Sequence, residues 1–179
     1  MTQTQEILFT RLNRLGTGER AALKRQAGIL LKNADGKAIA AFYKCLPAVV
    51  DGRAEGKWFA TACLRCMWAP GEESDTPLER ILSQLIAREQ LSDSVRHRVE
   101  TLIDTPWDGD GYLLTKLSRL VKLVRQKSEE TPDFGSLLTD LEGWNGETQW
   151  VQRKWARAIF SNTKEPMEDT EKGENDHAD

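Results

Sequence analysis

The cysteines are the first side chains in this sequence whose spacing could support chemistry. Cys63 and Cys66 form a Cys-x-x-Cys pair, a spacing typical of half a zinc site or of a thiol redox centre. The pair lies inside an apolar stretch, and Cys45 is the one other cysteine. A zinc site needs about four well-placed nitrogen or sulfur ligands, and the redox motif needs a βαβ setting. We therefore predict three reduced, structural thiols and no metal site.

Histidines and carboxylates offer little more in the way of catalytic groups. His97 lies between Arg96 and Arg98, and we predict a surface position for it. The acidic pairs Glu72–Glu73 and Glu129–Glu130 fall in predicted loops, whereas a metal-dependent nuclease needs carboxylates that converge in a pocket. No nucleophile elbow, phosphate-binding glycine loop or His-Glu-x-x-His motif occurs. We predict no catalytic residue and no cofactor.

Basic side chains are the groups that remain, and one predicted helix concentrates them. Residues 113–127 contain five Lys or Arg and no acidic residue. When this stretch is placed on a helix, six of its apolar residues fall within an arc of roughly 120°, so Arg119 and Lys122 face away from the core. The six are Leu113, Leu114, Leu117, Leu120, Val121 and Val124. A helix that needs only solvation usually mixes charges of both signs. Charge of one sign favours a polyanion such as nucleic acid, and a solvated bundle helix is the alternative.

The same basic bias occurs in two other parts of the chain. Residues 7–34 carry six Lys or Arg and one acidic residue. In the last predicted helix, Arg153, Lys154 and Arg157 cluster on the face opposite the apolar residues. Because phosphate binding needs only such charges on a rigid surface, the pattern favours nucleic-acid backbone as the partner.

The net charge of −3 arises at the C-terminal end of the chain. Residues 164–179 contain two Lys against seven Asp or Glu, a charge of −5, whereas residues 1–163 carry 23 Lys or Arg against 21 Asp or Glu, a charge of +2. The C-terminal segment shows no hydrophobic periodicity. We therefore predict a disordered acidic tail over residues 164–179.

The elements that hold these side chains are predicted to be helices alone. Apolar residues recur at helical spacing and no stretch alternates as a strand does, so we predict an all-α bundle of about eight or nine helices. The predicted helices cover residues 4–15, 19–31, 38–46 and 57–69, then begin at Thr76, Ser92, Leu113 and Thr131, and end with 147–160. Residues 57–69 are apolar nearly all round, which predicts a central helix. Most of the six Trp lie among apolar residues, which favours core packing over base stacking.

The sequence also limits where the protein acts. It contains no run of about 18 apolar residues, so we predict no membrane span. Its first residues lack the basic and apolar regions of a secretory signal. Three cysteines, an odd number, fit reduced thiols better than a disulfide framework. These features predict a cytoplasmic protein.

Five stretches along the chain carry a resemblance to a known family. They are Ala22–Arg25 with Ala41–Lys44, Pro77–Leu82, Arg98–Leu102, Leu117–Leu123, and Asp133–Trp144 with Lys154–Arg157. In order and spacing, over roughly residues 6–160, they resemble the CasB family, the small subunit of the type I-E Cascade CRISPR surveillance complex.

This resemblance implies an architecture and a set of partners. It implies two small helical subdomains, which we place at residues 1–104 and 105–163. It implies association with the other Cascade subunits, with CRISPR RNA and with target DNA, and two copies side by side in the complex. Family members are not enzymes, and they hold the displaced DNA strand on basic surfaces to stabilise the R-loop. A body charge of +2 fits a subunit that works within such an assembly.

The resemblance also selects candidate nucleic-acid-binding residues. Those that match basic positions of the family pattern are Arg25, Arg80, Arg98, Arg119 and Arg157. Helix geometry adds Lys24, Lys122, Arg125 and Arg153 beside them. The acidic tail from Lys164 onward departs from the pattern, because it is longer than expected for the family.

Two other functions are compatible with the residues. A helical protein–protein adaptor would touch no nucleic acid, and the segregation of charge on three helices disfavours it. A small nuclease or a thiol redox protein would depend on the carboxylates or on the Cys-x-x-Cys pair.

Overall fold

A computed structural model describes residues 1–72, 74–88 and 92–161, and these residues form nine α-helices and no strand. In chain order they are α1 (Gln3–Arg14), α2 (Thr17–Arg25), α3 (Gly36–Cys45), α4 (Glu55–Arg65), α5 (Leu78–Arg88), α6 (Ser92–Ile103), α7 (Tyr112–Lys127), α8 (Phe134–Gly143) and α9 (Trp150–Phe160), with a 3₁₀ turn at Leu31–Asn33. The all-α prediction is confirmed. The predicted acidic tail, residues 164–179, lies outside the described residues.

Two predicted helix starts can be compared with the local capping chemistry, and one of them needs a correction. Helix α5 begins directly after Pro77, close to its predicted start. The sequence predicts Thr131 as the cap of helix α8, and this is wrong by two residues. The carboxylate of Asp133 accepts hydrogen bonds from the backbone N–H groups of Gly135 and Ser136, at 2.9 and 3.0 Å. Asp133 is therefore the N-cap, because it satisfies two otherwise unpaired donors of the first turn.

Helix α2 ends at Arg25, six residues before the predicted end, because the chain turns at Gly28. This glycine has a φ of 104°, in the region that favours glycine, and a Cβ there would lie 2.8 Å from Oγ of Ser118 in α7. The chain after α2 thus packs closely on α7. Leu30 continues this contact, since a Cβ on Gly111 would lie 3.1 Å from its side chain.

The core is organised around α4, as its apolar sequence predicts. Residues 58–65 of this helix are all buried, and the helix packs against α1, α2, α7 and α8. One hydrophobic cluster includes buried residues from all nine helices. The contacts of α4 with α7 and α8 join residues on both sides of position 104, and the division into two subdomains there stays a prediction.

Most of the tryptophans contribute to this core. Four of them are 0–4% exposed: Trp58, Trp68, Trp144 and Trp155. The rings of Trp144 and Trp155 meet edge to face, with centroids 5.8 Å apart. The indole N–H groups of Trp58, Trp144 and Trp155 have acceptors, such as the Thr105 carbonyl oxygen for Trp144 at 2.8 Å. The prediction of core packing is confirmed for these four residues.

The described helices include none with both the length and the apolar character needed to cross a membrane.

Candidate nucleic-acid interface

Helix α7 is a rigid platform because one full side of it is buried. Its inward residues are 0–1% exposed: Leu113, Leu114, Leu117, Leu120, Val121 and Val124. Arg119 and Lys122 are exposed on the other side, as predicted. Their backbone positions are therefore fixed by core packing, while their head groups reach solvent.

An open groove of about 450 Å³ lies between the exposed sides of α6 and α7. Its lining consists of His97, Arg98, Thr101, Lys116, Arg119, Lys122, Leu123 and Gln126. The structure thus brings three of the nine predicted residues together, although they come from two helices. We call these three residues, Arg98, Arg119 and Lys122, the groove cations.

The groove cations have no counter-charge in the lining. No carboxylate lines the groove, and within residues 1–72, 74–88 and 92–161 the side chains of Arg98, Arg119 and Lys122 form no hydrogen bond or ion pair. Their charges are exposed and held by two packed helices. This arrangement suits an anionic ligand, because phosphate oxygens can supply the acceptors that the protein does not.

Two other residues of the lining have structural roles. Lys116 is half-buried, and its ammonium donates to the Thr101 carbonyl oxygen at 3.3 Å and to the Thr105 hydroxyl at 2.9 Å. It therefore ties α7 to α6. His97 is exposed at the rim, as predicted, with Nδ1 3.5 Å from the carboxylate of Glu100.

The basic residues of α2 divide into exposed and buried groups. Lys24 and Arg25 are exposed near the C-terminal end of this helix. Neither residue forms an ion pair with any of the described residues. Arg20 is 8% exposed, and its guanidinium donates to the carbonyl oxygens of Leu12 and Trp68, each at 2.8 Å. Part of the N-terminal basic bias therefore holds the fold together and is not available to a ligand.

A ridge of α7 connects the α2 end with the groove. Ser118 contacts the turn at Gly28, and Lys122 and Arg125 follow it at helical spacing on the same side of α7. Arg125 is partly held by the protein, since its Nε donates to the Met67 carbonyl oxygen at 3.3 Å. Its guanidinium also lies 5.7 Å from the centre of the Trp68 ring. The side of α7 that meets the turn after α2 thus adjoins the groove at Lys122.

The remaining predicted residues lie on other helices. Arg80 is exposed on α5. Arg153 and Arg157 lie on α9, where they line a depression of about 230 Å³ with Trp150 and Lys154. The structure therefore separates the nine predicted residues into the α7 side, the α9 depression and Arg80.

Lys154 corrects the predicted basic cluster on α9. Its ammonium lies 2.8 Å from both oxygens of Asp140 and 3.1 Å from the carboxylate of Glu79. Trp155 also donates its indole N–H to Asp140 at 2.8 Å. Lys154 therefore joins α9 to α5 and α8. The sequence predicts that Lys154 clusters with Arg153 and Arg157, because the two carboxylates lie at distant positions in the chain.

Burial and the ion pairs act in opposite directions on the pKa values of this triad. It raises the pKa of both Asp140 and Glu79, although Lys154 acts in the opposite direction. For Lys154, burial lowers the pKa, but the hydrogen bond to Asp140 and the charges of both carboxylates outweigh it and raise the pKa overall. The charge of this lysine is thus balanced within the protein.

The cysteines are buried, in agreement with a structural role. Burial raises the pKa of Cys45 and of Cys66 to about 11, and it raises the pKa of Cys63 well above its ordinary value. Little thiolate exists at neutral pH under such conditions, which disfavours thiol redox chemistry. Across the described ranges, no three His, Cys, Asp or Glu side chains are grouped so that they could hold a metal ion.

The site also contains features that the sequence did not reveal. Thr101 and Gln126 line the groove, and only the pairing of α6 with α7 brings them there. Trp150 is 40% exposed beside Arg153, although most Trp were predicted to be core residues. Its position in the first turn of the predicted helix 147–160 was the available signal.

Comparisons with known proteins agree on one family. The family model of CRISPR-associated protein Cse2 matches residues 19–160. A CRISPR-associated protein of the Cse2 family from Thermus thermophilus is similar at 26% identity and a TM-score of 0.72, over 90% of this chain and 99% of that one. A chain of a CRISPR RNA-guided surveillance complex is similar at 25% identity and a TM-score of 0.70, over 88% and 91% of the two chains.

A further likeness concerns the fold alone. M. ruber CasB is 20% identical, with a TM-score of 0.70 over 90% of this chain and 94% of that one. No curated protein matches the sequence.

Proposed function

This chain belongs to the CRISPR-associated Cse2 family, and we propose that it is the small, non-catalytic subunit of an RNA-guided Cascade surveillance complex. In that complex it contacts the other subunits, CRISPR RNA and target DNA, and a second copy of itself lies beside it. Its setting is the cytoplasm and its role is antiviral defence. The similarity to a chain of a surveillance complex, over nearly the whole length of both, supports this assignment.

The observation that carries the nucleic-acid part of the proposal is the α6/α7 groove. Arg98, Arg119 and Lys122 lie in one open groove without a carboxylate. An anionic backbone that enters the groove releases its counterions to solvent, and this release provides binding free energy without reading any base. The displaced strand of an R-loop is a backbone of this kind.

The proposed mechanism is a shift in a nearly balanced equilibrium. R-loop formation exchanges a DNA duplex for an RNA–DNA duplex of similar stability, so contacts with the displaced strand can decide its direction. The subunit needs no catalytic group for this purpose. The α2 end, with Lys24 and Arg25, and Arg125 extend the basic surface along α7, while Arg80, Arg153 and Arg157 provide contacts on other helices.

The test replaces Arg98, Arg119 and Lys122 by Ala in the assembled complex and measures target-DNA affinity over a salt series. Each lost phosphate contact with a single strand should reduce the salt slope by about 0.7, so we expect a reduction of roughly 2 and weaker binding. The loss should be similar for different target sequences, because phosphate contacts do not specify sequence.

A matched control removes the same charge elsewhere. Arg14, Lys37 and Arg53 lie on or between helices of the N-terminal part, outside the predicted interface, and their replacement by Ala should leave the slope unchanged. An unchanged slope for the groove variant, with the subunit still incorporated, would contradict the proposal. A groove variant that no longer joins the complex would instead indicate an adaptor that binds protein through this face.

A further inference from the structure

Trp150 differs from the core tryptophans in that part of its ring is open to solvent. It is the first residue of α9 and is 40% exposed, whereas Trp144 and Trp155 nearby are 1% and 0% exposed. Leaving an indole of this size partly in water is unfavourable in isolation. The groups around it show what could cover it.

The ring is held in place by the backbone beneath it. A Cβ on Gly143 would lie 2.5 Å from Cζ2 of the indole, so a larger residue at this position would displace the ring. Gly146 also lies close, with its Cβ position 3.9 Å from Cδ1. One side of the indole is therefore seated on the connection between α8 and α9, and its exposed part is presented in a fixed orientation.

Two arginines lie beside the exposed ring. Trp150, Arg153 and Arg157 follow the i, i+3, i+7 spacing of one helix face and line the same depression of about 230 Å³. The guanidinium of Arg153 donates to the carbonyl oxygen of Thr148, which orients it. No carboxylate within the described ranges forms an ion pair with either arginine, whereas the charge of Lys154 is balanced by Asp140 and Glu79.

We propose that this depression is a seat for one nucleotide of an unpaired strand. The indole of Trp150 stacks on the base, and Arg153 and Arg157 contact the adjacent phosphates. Aromatic stacking with basic side chains beside it is the general mode by which proteins bind single strands without sequence preference. A base within a duplex is covered by its neighbours on both faces, so the seat selects for unpaired nucleotides.

The seat adds to the proposed function and rests on it, because the presence of nucleic acid comes from that proposal. It uses different residues and a different interaction from those of the groove. The groove cations recognise backbone charge alone. The seat recognises a base as well, and it lies on a helix that packs against α6, one of the two helices of the groove. A strand that contacts both sites would be recognised by its charge and by its lack of pairing.

The test compares two probes for the full-length chain at low salt: a thymidine dodecamer and a sugar–phosphate dodecamer of the same length that lacks bases. We expect the wild-type protein to bind the thymidine strand about fivefold more tightly or better, as one stacked base provides. Trp150→Leu, which keeps apolar bulk over Gly143, should abolish this preference. Trp150→Phe is the matched control and should keep most of it.

The outcomes separate the seat from the groove. Replacement of Arg98, Arg119 and Lys122 by Ala should weaken binding of both strands equally and leave the preference for bases intact. A wild-type protein without that preference, or a Trp150→Leu protein that retains it, would overturn the seat and leave the groove untouched. Loss of assembly with other subunits in Trp150→Leu, with oligonucleotide binding unchanged, would overturn the seat and show a protein interface instead.

Discussion

Two basic regions of this molecule differ in whether carboxylates lie within reach of the cation. In the α6/α7 groove, Arg119 and Lys122 project from a packed helix and meet no acidic side chain in the lining. On α9, Lys154 also belongs to a row of basic residues, but Asp140 and Glu79 enclose its ammonium. The same type of residue is therefore available to a ligand in one region and part of the fold in the other.

The difference shows that position on a helix does not decide the role of a basic residue. The groove cations and Lys154 all lie on helices that carry apolar residues at helical spacing on their buried side. What separates them is the neighbouring helix: α6 contributes Arg98 and His97 to the groove, whereas α5 and α8 contribute carboxylates to the side of α9. Desolvation makes an unpaired charge costly in the buried region and tolerable in the open one.

The largest expected effect comes from breaking the buried triad. Asp140→Ala removes one of the two carboxylate partners of Lys154 and the acceptor of the Trp155 indole N–H. Removing one partner of a buried ion pair is strongly destabilising, so we expect the free energy of unfolding to fall by about 3 kcal/mol. Denaturant unfolding measures it.

A control on the same type of side chain sharpens this test. Asp104→Ala removes an exposed carboxylate at the end of α6, and its effect should stay within about 0.5 kcal/mol. The triple replacement of the groove cations should likewise cost no more than about 0.5 kcal/mol for each residue. Equal losses of stability in the two regions would contradict the distinction between them.

A smaller effect is expected at the contact between α7 and the turn that follows α2. Gly28→Ala places a Cβ 2.8 Å from the hydroxyl oxygen of Ser118 at a positive φ, which should lower the stability by about 2 kcal/mol. Gly52→Ala is the matched control, because its Cβ meets no atom within 4 Å. If the α2 end is part of the basic surface, Gly28→Ala should also weaken DNA binding by the assembled complex.

Two results would argue against this connection. A Gly28→Ala protein as stable as the Gly52→Ala protein would show that the turn does not need glycine. Unchanged DNA affinity in a destabilised Gly28→Ala complex would show that Lys24 and Arg25 act independently of the groove.

The smallest effect on stability is expected from truncation after Thr163. The removed residues 164–179 carry a charge of −5, which repels phosphate and lowers non-specific binding to the basic surface. We expect a nearly unchanged Tm and a modest rise in DNA affinity, measured by thermal unfolding and by a salt-dependent binding assay. A large decrease in Tm would show that this segment stabilises the body.

Most of the fold could be predicted from the sequence because it depends on local patterns. The stripe of Leu and Val on α7 and the apolar sequence of α4 each predict a helix and its buried side, and the structure agrees with both. The end of α2 was missed because Gly28 acts through its contact with Ser118, which is 90 residues away in the chain. The cap of α8 was misplaced by two residues since Thr131 and Asp133 are both competent caps.

The candidate site could be predicted only in part, for a related reason. Helix geometry identified Arg119 and Lys122 as exposed, but it does not show which helix lies beside α7, and therefore did not reveal the groove. It also grouped Lys154 with Arg153 and Arg157, because the carboxylates that bind Lys154 come from α5 and α8. Ligand-binding cations and structural cations have the same local sequence pattern, and tertiary packing distinguishes them.

The central claim, that the groove holds the displaced DNA strand, can be tested by crosslinking from within it. Gln126 lines the groove and is uncharged, so a photoreactive side chain there would leave the three cations in place. With an R-loop formed on the assembled complex, we predict a crosslink to the displaced strand, and none from the same side chain placed at exposed Tyr43 on α3. Crosslinks from position 126 to protein subunits alone, with no DNA adduct, would contradict the claim.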